Sequence, residues 1–576
     1  MRTLSAFLLL SVFAAAVHSW AQAQDDVVMK AMHDELDRSI RELHLENLDK
    51  PYFISYRVID SDNTNVNASF GALNSSHQGR SRSFNVEVRV GSYQLDNTNF
   101  GSFGFDMSSM MQVFNGSSQL PLDDNYKELR RQMWLATDAT YKKALEDFSK
   151  KKAALQNKTN TDETPDFSQE TPVKIAMDAT PVSADRAQWE AIARSLSGLF
   201  RQMPDVYTSM VSFSASNTYI RFINSEGTSY TRREPRVTFN ARASTQAADG
   251  TPLEDFVWIY ARSPSGLPSQ DELGSRVRTL GQELKELRAA SEIENYNGPV
   301  LAEGDAAAQL FAWVFVPNLI GSRQPVMDSQ MGMVVGRNAP QENPFLDKVG
   351  AKVLPDFLSV TDNATLADYK GAPLAGWCKA DEDGVPTREM KLVENGILKT
   401  LLTTRDPVRG FDHSSGSRHA GQAAPSNLFV TAENGLSEAD LRARFLAMVK
   451  ERNKEYGIVV RRMRNAQHPV VAWKIFADGH EELIRGTQFS GLNAAAFKDI
   501  VAASKEQNIL TTNRRPSANN SLAVFTGGAA LGGEDESTAP VTLAVPSLLF
   551  DDVTLHKTRG ETPKPPVTPR PNFDGK

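Results

Sequence analysis

The chain has 576 residues, of which 40% are hydrophobic and 23% are charged, and its formal net charge is −7. This composition is typical of a soluble globular protein with more than one domain, and neither the net charge nor any basic stripe favours nucleic acid as a partner. The single cysteine, Cys378, excludes an intramolecular disulfide and is expected to be a buried, small apolar side chain.

The first 23 residues differ in composition from the rest of the chain. Arg2 precedes the apolar run "LSAFLLLSVFAAAV", and Ala21-Gln22-Ala23 has the small-x-small pattern of a cleavage site. The pattern predicts a secretory signal over residues 1–23, with cleavage near Ala23, and a periplasmic or secreted protein. A retained N-terminal anchor is the alternative. No later segment has roughly 18 consecutive apolar residues, so we predict no membrane contact for the mature form.

The N-terminal half, residues 24–296, contains helical and strand patterns in two similar parts. The first part, 24–156, begins with an amphipathic helix, continues in alternating strands and ends in a long helix. Residues 157–182 are a polar linker without periodicity. The second part, 183–296, again runs from a helix into strands, and it ends in a helix that Ser269 is predicted to cap. We therefore predict two subdomains of helices packed on antiparallel sheet.

The pattern changes from residue 297, and short strands and tight turns dominate up to residue 557. Asn395-Gly396 and Asp478-Gly479 each separate two alternating runs, and both dipeptides are typical of two-residue β-hairpin turns. The last segment, 558–576, is rich in proline and is predicted to be disordered. The sequence therefore predicts an α+β fold with a two-part N-terminal half and a β-rich C-terminal half.

The segment "LFAWVFVPNLIG", residues 310–321, is predicted to be a buried helix, although it lies where a catalytic motif could stand. A catalytic zinc needs three protein ligands with nitrogen, oxygen or sulfur donors, and this segment has none. A second candidate is "RGFDHSSGSRHAG", in which His413 and His419 could bind a metal or act as a base beside a serine. A loop that lines a groove and a plain surface loop are the alternatives.

Several motifs resemble those of the TldD/PmbA (TldE) metallopeptidase family, once called modulators of DNA gyrase. "GPVL" resembles the strand before the family's metal-binding helix, "DEDGVP" its DxEGVP turn, and "ADGHEELIRG" its ADGREELVRG hairpin. The resemblance is specific over about 297–490 and weaker over 24–290. It implies a C-terminal domain of this type over 297–557. It also implies a substrate groove, for which the candidate lining residues are Arg405, His413, Arg418 and His419.

The family's metal motif, HExxxH, is absent from this chain. Its first histidine would fall on Ala312, its glutamate on Trp313 and its second histidine on Pro317. None of these three side chains can bind a divalent metal or take a proton. The family's third ligand is a cysteine in a CGK-like loop, and the corresponding region, about Gly533–Thr538, has no cysteine. The resemblance therefore implies zinc in catalytic relatives and no cofactor here. We expect the Trp313 indole to be buried and to close the former site.

These features predict a non-catalytic subunit that binds an unstructured peptide or protein segment within a proteolytic complex. The resemblance implies pairing with a second copy or with a catalytic relative, as a homodimer or a heterodimer. Two alternatives stay open. One is an active hydrolase that uses the His413 and His419 loop, and the other is a stand-alone periplasmic binding protein.

Overall fold

The computed structural model describes residues 26–101, 117–156, 163–327, 343–512 and 540–558, together with 560, 562–566, 568, 570 and 571. The predicted signal and the region Gly533–Thr538 lie outside these described residues. The described part of the chain combines helices with mixed, mostly antiparallel sheets, which confirms the α+β class. Among the helices described, none is both long and apolar enough to cross a membrane.

One seven-stranded sheet takes its strands from both parts of the N-terminal half. The strands up to residue 261 are β1 Pro51–Ser69, β2 Ala72–Val90, β3 Phe100–Gly101, β4 Ser117–Gln119, β5 Lys174–Met177, β6 Thr208–Asn224, β7 Ser229–Gln246 and β8 Pro252–Ala261. The strand order is β4-β2-β1-β6-β7-β5, and β8 also pairs with β7. The antiparallel pairing of β1 with β6 runs from Ser55 opposite Asn224 to Ala68 opposite Val211. The two predicted subdomains therefore share a sheet.

Helices cover one face of this sheet and form two apolar cores. They are α1 Val27–Glu42, α2 Tyr126–Gln156, α3 Arg186–Gly198 and α4 Gln270–Ala289. The first two pack around Tyr56 and Phe84, and the other two pack around Val66 and Phe213. Because alternate residues of a strand point to the same face, Tyr56 and Val66 of β1 place both cores on one side of the sheet.

A twelve-stranded sheet forms the C-terminal half, and the last strand lies near its middle. Its twelve strands are β9 Ser291–Glu292, β10 Asn295–Ala302, β12 Leu358–Asn363, β15 Glu389–Glu394, β16 Ile397–Leu398, β19 Asn427–Ala432, β20 Tyr456–Met463, β21 Pro469–Phe476, β22 Glu481–Arg485, β23 Thr487–Ser490, β24 Ile500–Thr512 and β25 Val541–Lys557. Short two-stranded sheets lie outside it and use β11 Val326–Met327, which pairs with β3, β13 Asp368–Tyr369 with β14 Ala372–Pro373, and β17 Arg418–His419 with β18 Gln422–Ala423. The order is β16-β15-β12-β19-β25-β10-β20-β21-β22-β9, with β23 and β24 also paired to β25.

The two hairpins predicted in this half are confirmed. Strands β15 and β16 pair on either side of Asn395-Gly396, and both turn residues have the positive φ angles, 47° and 76°, that such a turn requires. Strands β21 and β22 pair on either side of Asp478-Gly479. Two further helices, α5 Asp305–Leu310 and α6 Glu438–Glu451, pack on the large sheet.

The aspartate-rich turn of the C-terminal half packs against the second face of the N-terminal sheet. The Arg57 guanidinium of β1 and the Tyr230 hydroxyl of β7 both donate to the carbonyl oxygen of Glu382. Gly384 has a φ of +77°, and a β-carbon there would lie 2.5 Å from the Thr228 methyl carbon. Only glycine fits this close approach, so the glycine of the "DEDGVP" motif is required where the halves meet.

The C-terminal tail crosses back from the large sheet to the N-terminal half. The Thr562 hydroxyl donates to the Asp249 carbonyl at 2.9 Å, beside the turn between β7 and β8. The Arg570 guanidinium donates to the carbonyls of Val206 at 2.6 Å and Arg201 at 3.0 Å. The described tail residues therefore contact the folded body, where the composition had predicted disorder. Arg201 lies in the last turn of the short helix 199–202, where carbonyls have no intrahelical partner, so Arg570 supplies a donor there.

Candidate functional site

The apolar segment 310–321 is buried, as predicted, but it is not a regular α-helix. Helix α5 ends at Leu310, and the chain continues as a π-helical turn, Phe311–Phe315, and a 3-10 turn, Val316–Leu319. The Val316 N–H donates to the Phe311 carbonyl, five residues earlier. Pro317 explains the change, because it has no N–H for an α-helical bond and its ring would clash with the carbonyl four residues before it.

The three positions that align with the family's metal motif have different environments. Ala312 is 1% exposed and lies in the main core of the C-terminal half. Pro317 is half-buried. Trp313 is also half-buried, and its side chain lines a cavity of about 710 Å³. The expectation that this indole is buried and closes the site was therefore wrong, since the side chain is only half-buried and lines the wall of an open cleft.

The cleft lies between the two halves of the molecule. Helix α4 and strand β8 form its wall in the N-terminal half, and α5, β20 and β24 form its wall in the C-terminal half. Three residues at or near α5 line the cleft: Asp305 at the start of the helix, Gln309 near its end and Trp313 just beyond its end. Their spacing of four residues places them on one side of the helix. The aligned motif segment therefore contributes a polar and aromatic strip to the largest cavity described.

A buried ion pair joins the two halves at this cleft. Arg462 of β20 donates to both carboxylate oxygens of Asp255 on β8, each at 2.6 Å, and to Glu283 of α4 at 3.1 Å. Asp255 is fully buried, and burial raises the pKa of its carboxyl to about 7. Glu283 and Arg462 both line the cavity. The arrangement ties the position of β20 to that of the N-terminal wall.

The raised pKa of Asp255 predicts a specific pH dependence of stability. An aspartate in an unfolded chain has a pKa of about 3.9, so the folded protein binds more protons than the unfolded chain between about pH 4 and pH 7. The free energy of unfolding should therefore fall as the pH rises through this window, by at most about 4 kcal/mol.

Urea unfolding of wild type and the Asp255→Asn variant at several pH values in this window measures the effect. The variant should lack this part of the pH dependence. Asp356→Asn is the matched control, because the Asp356 side chain is 77% exposed. An equal pH slope in wild type and in Asp255→Asn would show that the carboxyl ionises at an ordinary pH.

Two of the four predicted groove residues, Arg405 and Arg418, lie in ion pairs. Arg405 is 1% exposed, and its guanidinium donates to the two carboxylate oxygens of Glu226 at 2.6 and 2.8 Å and packs 3.9 Å from the Phe167 ring. Arg418 lies 3.5 Å from Asp383 and 3.3 Å from Asp406. Arg405 therefore joins the two halves, because Glu226 lies in the turn between β6 and β7 of the N-terminal sheet.

The two histidines of the same loop contact different groups. His413 has a side chain that is 74% exposed and lies 3.6 Å from Glu170. His419 is buried, and its Nε2 is 2.8 Å from the Ser426 hydroxyl, which is buried as well. His419 also lines a small cavity of about 70 Å³ together with Cys378, which is buried as predicted. A base and a nucleophile need access to substrate, which the burial of His419 and Ser426 does not provide.

The side chains at the aligned motif do not fit a zinc ion. A methyl group, an indole and a proline ring offer no lone pair of the kind that zinc binds. Within the part of the chain that the structure describes, no three histidine, cysteine, aspartate or glutamate side chains are grouped so that they could hold a metal. The region Gly533–Thr538, which aligns with the family's third ligand, lies outside the described residues. No catalytic step through a metal is derived for this site.

Comparison with known proteins assigns the C-terminal half. Residues 297–557 match the family described as PmbA/TldA metallopeptidase C-terminal domain. Residues 297–557 are therefore a domain of the TldD/PmbA type. A segment of 68 residues, 12% of this chain, is 35% identical to a metalloprotease of Methanocaldococcus jannaschii and spans 14% of that relative's length. The sequence motifs that resembled this family are thus confirmed as family features.

Solved structures of TldD/PmbA type share the fold along most of the chain. TldE from Thermococcus kodakarensis superposes with a TM-score of 0.55 at 13% identity and covers 91% of this chain and 99% of its own. A candidate modulator of DNA gyrase from Thermotoga maritima gives 0.53 at 14% identity, with 87% and 96% covered. A similar protein from Bacteroides thetaiotaomicron gives 0.56 at 12% identity, with 92% and 98% covered. At these identities the likeness shows the fold alone.

Sequence reasoning missed most of the residues that line the cleft. Asp305 and Gln309 could have been found, because they recur with Trp313 at a spacing of four in an otherwise apolar run. Trp258 and Arg462 carry no comparable local signal. Trp258 and Arg462 line the same cleft as Trp313 only because β8 and β20 form facing walls, although these strands are about 200 residues apart along the chain.

Proposed function

We propose that this protein is a non-catalytic TldD/PmbA-family subunit that binds an extended peptide in the cleft between its halves. One observation carries the proposal: the aligned motif segment opens onto a large cleft, although it offers a methyl, an indole and a proline ring instead of metal ligands. A cleft that is open and lined by aromatic and polar groups supports binding. The absence of donor atoms at the aligned positions argues against zinc-dependent hydrolysis there.

Two edge strands support an extended peptide as the ligand. Along the cleft, β8 pairs only with β7, and β24 pairs only with β25, among the strands described. An edge strand presents backbone N–H and C=O groups that can pair with another chain. Peptides that add to such an edge are held mainly by main-chain hydrogen bonds, with side-chain pockets that give specificity.

Binding of labelled, unstructured peptides to the purified mature protein tests the proposal. The bound peptide should stay intact by mass spectrometry, with or without added zinc. A peptide of the same sequence with N-methylated backbone amides should bind at least about tenfold more weakly, because it lacks the donors for strand pairing. Cleavage of the peptide, or equal binding of the methylated form, would contradict the proposal.

Restoring the motif should not restore an enzyme. The triple change Ala312→His, Trp313→Glu and Pro317→His adds two ligands and a glutamate, but catalytic zinc sites use three protein ligands. Ala312 is in the core, so the new imidazole at that position would also be buried without an assigned partner. We expect a less stable protein with weak zinc binding and no peptidase activity. Zinc-dependent cleavage by this variant would show that a third ligand already faces the cleft.

Export and pairing belong to the same proposal. The N-terminal pattern supports secretion after cleavage near Ala23, which intact mass of the protein from cell fractions would test. In a homodimer, or in a heterodimer with a catalytic relative, this chain would act as the non-catalytic scaffolding subunit. Light scattering of the pure protein, and of its mixture with a family member that has HExxxH, distinguishes these states from a stand-alone binding protein.

A further inference from the structure

The interdomain cleft is lined by apolar side chains as well as by charged ones. Six large apolar side chains line it, and all but the buried Leu280 are half-buried; these five are Phe256, Val257, Trp258, Trp313 and Leu510. Ligand pockets are mostly lined by apolar and aromatic side chains, with a few polar groups that orient the ligand. The cleft is therefore suited to an occupant that covers apolar surface.

The charges that line the same cleft are balanced. Four arginines and four carboxylates face it, and most are paired within the protein. Arg276 donates to Glu272 at 2.8 Å, and Arg464 lies 2.8 Å from Glu254. Arg462 is held between two carboxylates, as described above. Because these ion pairs cancel one another, the cleft has no excess charge to attract a basic or an acidic ligand.

From these two observations we infer that the cleft selects an uncharged peptide segment with an aromatic or branched aliphatic side chain, which packs against Trp313 and Trp258. The inference rests on the proposed function and specifies its ligand class. Burial of the two half-exposed indoles against an apolar side chain removes apolar surface from water, which stabilises the complex.

A series of short peptides tests the inference with the full-length mature protein. Each peptide is built from Gly, Ser and Thr and differs only in its central residue, which is Phe, Leu, Ser, Lys or Asp. Isothermal titration should give affinities for the Phe and Leu peptides that exceed the affinity for the Ser peptide by about tenfold or more. The Lys and Asp peptides should bind no better than the Ser peptide.

Two variants assign the preference to the indoles of the cleft. Trp313→Ser should reduce the affinity for the Phe peptide by a larger factor than the affinity for the Ser peptide, and Trp258→Ser should act in the same direction. Trp134→Ser is the matched control, because Trp134 is 44% exposed on α2 and does not line the cleft. Trp313→Phe should keep most of the preference, which guards against an effect of misfolding.

The outcomes separate this inference from the proposed function. If all five peptides bind equally well, peptide binding stands and the inference is wrong. It is also wrong if a charged peptide binds best, or if Trp313→Ser weakens every peptide by the same factor. If no peptide in the series binds, the proposed function fails together with the inference.

Discussion

Replacing Arg405 with alanine is expected to lower the free energy of unfolding by about 3–5 kcal/mol, as is typical when one partner of a buried ion pair is removed. The guanidinium is buried, forms two hydrogen bonds with Glu226 and also donates to the Ser168 carbonyl. The variant leaves the Glu226 carboxylate at the junction of the halves without its cation. It also removes the contact of the guanidinium with the Phe167 ring.

Urea unfolding at neutral pH measures this loss. Arg405→Lys should recover only part of it, since an ammonium group cannot reproduce the two parallel hydrogen bonds. Arg41→Ala is the matched control, because Arg41 pairs with Glu42 at the surface and such pairs contribute roughly 0–1 kcal/mol. If Arg405→Ala unfolds like wild type and instead loses peptide binding, Arg405 is a groove residue after all.

Replacing Arg462 with methionine is expected to destabilise the protein strongly at alkaline pH and less at acidic pH. At about pH 8, Asp255 is mostly ionised in wild type, and without its cation the carboxyl must either stay charged while buried or take up a proton, so at most about 3–5 kcal/mol is lost. At about pH 5, a carboxyl with a pKa of about 7 is already protonated in the folded state, so less is lost.

A double variant provides the decisive comparison. Arg462→Met combined with Asp255→Asn removes both charges, so it should recover most of the stability that Arg462→Met loses at about pH 8. The recovery is measured as a double-mutant cycle from urea unfolding curves. An equal loss at both pH values, with no recovery in the double variant, would mean that Arg462 stabilises the cleft by packing alone.

Local patterns in the sequence predicted the elements of this fold well. Alternation of apolar residues predicted the strands, and Ser269 caps α4 by accepting a hydrogen bond from the Glu272 N–H, as expected. The turn at Asn395-Gly396 was predictable because few residues other than asparagine and glycine adopt positive φ angles without strain. These signals depend only on neighbouring residues, so one sequence is enough to detect them.

Long-range relations could not be predicted in this way. Nothing near Arg405 indicates that its partner is Glu226, 179 residues earlier in the chain. The motif positions were placed by resemblance, but the exposure of Trp313 depends on Pro317 and on the facing wall formed by β8. The two predicted subdomains share one sheet because β1 pairs with β6, and these strands lie on opposite sides of the linker in the sequence.

The central place of β25 constrains when the C-terminal half can form during synthesis. This strand pairs with β10, β19, β23 and β24, and it follows all four of them in the chain. Until Val541–Lys557 is available, β10 and β19 each lack a neighbour, although β10 begins at Asn295. Contacts of such high sequence separation slow folding. The half that carries the cleft therefore completes its sheet only after residues 541–557 have been synthesised, and a chain truncated before residue 541 lacks the strand that joins β10 to β19.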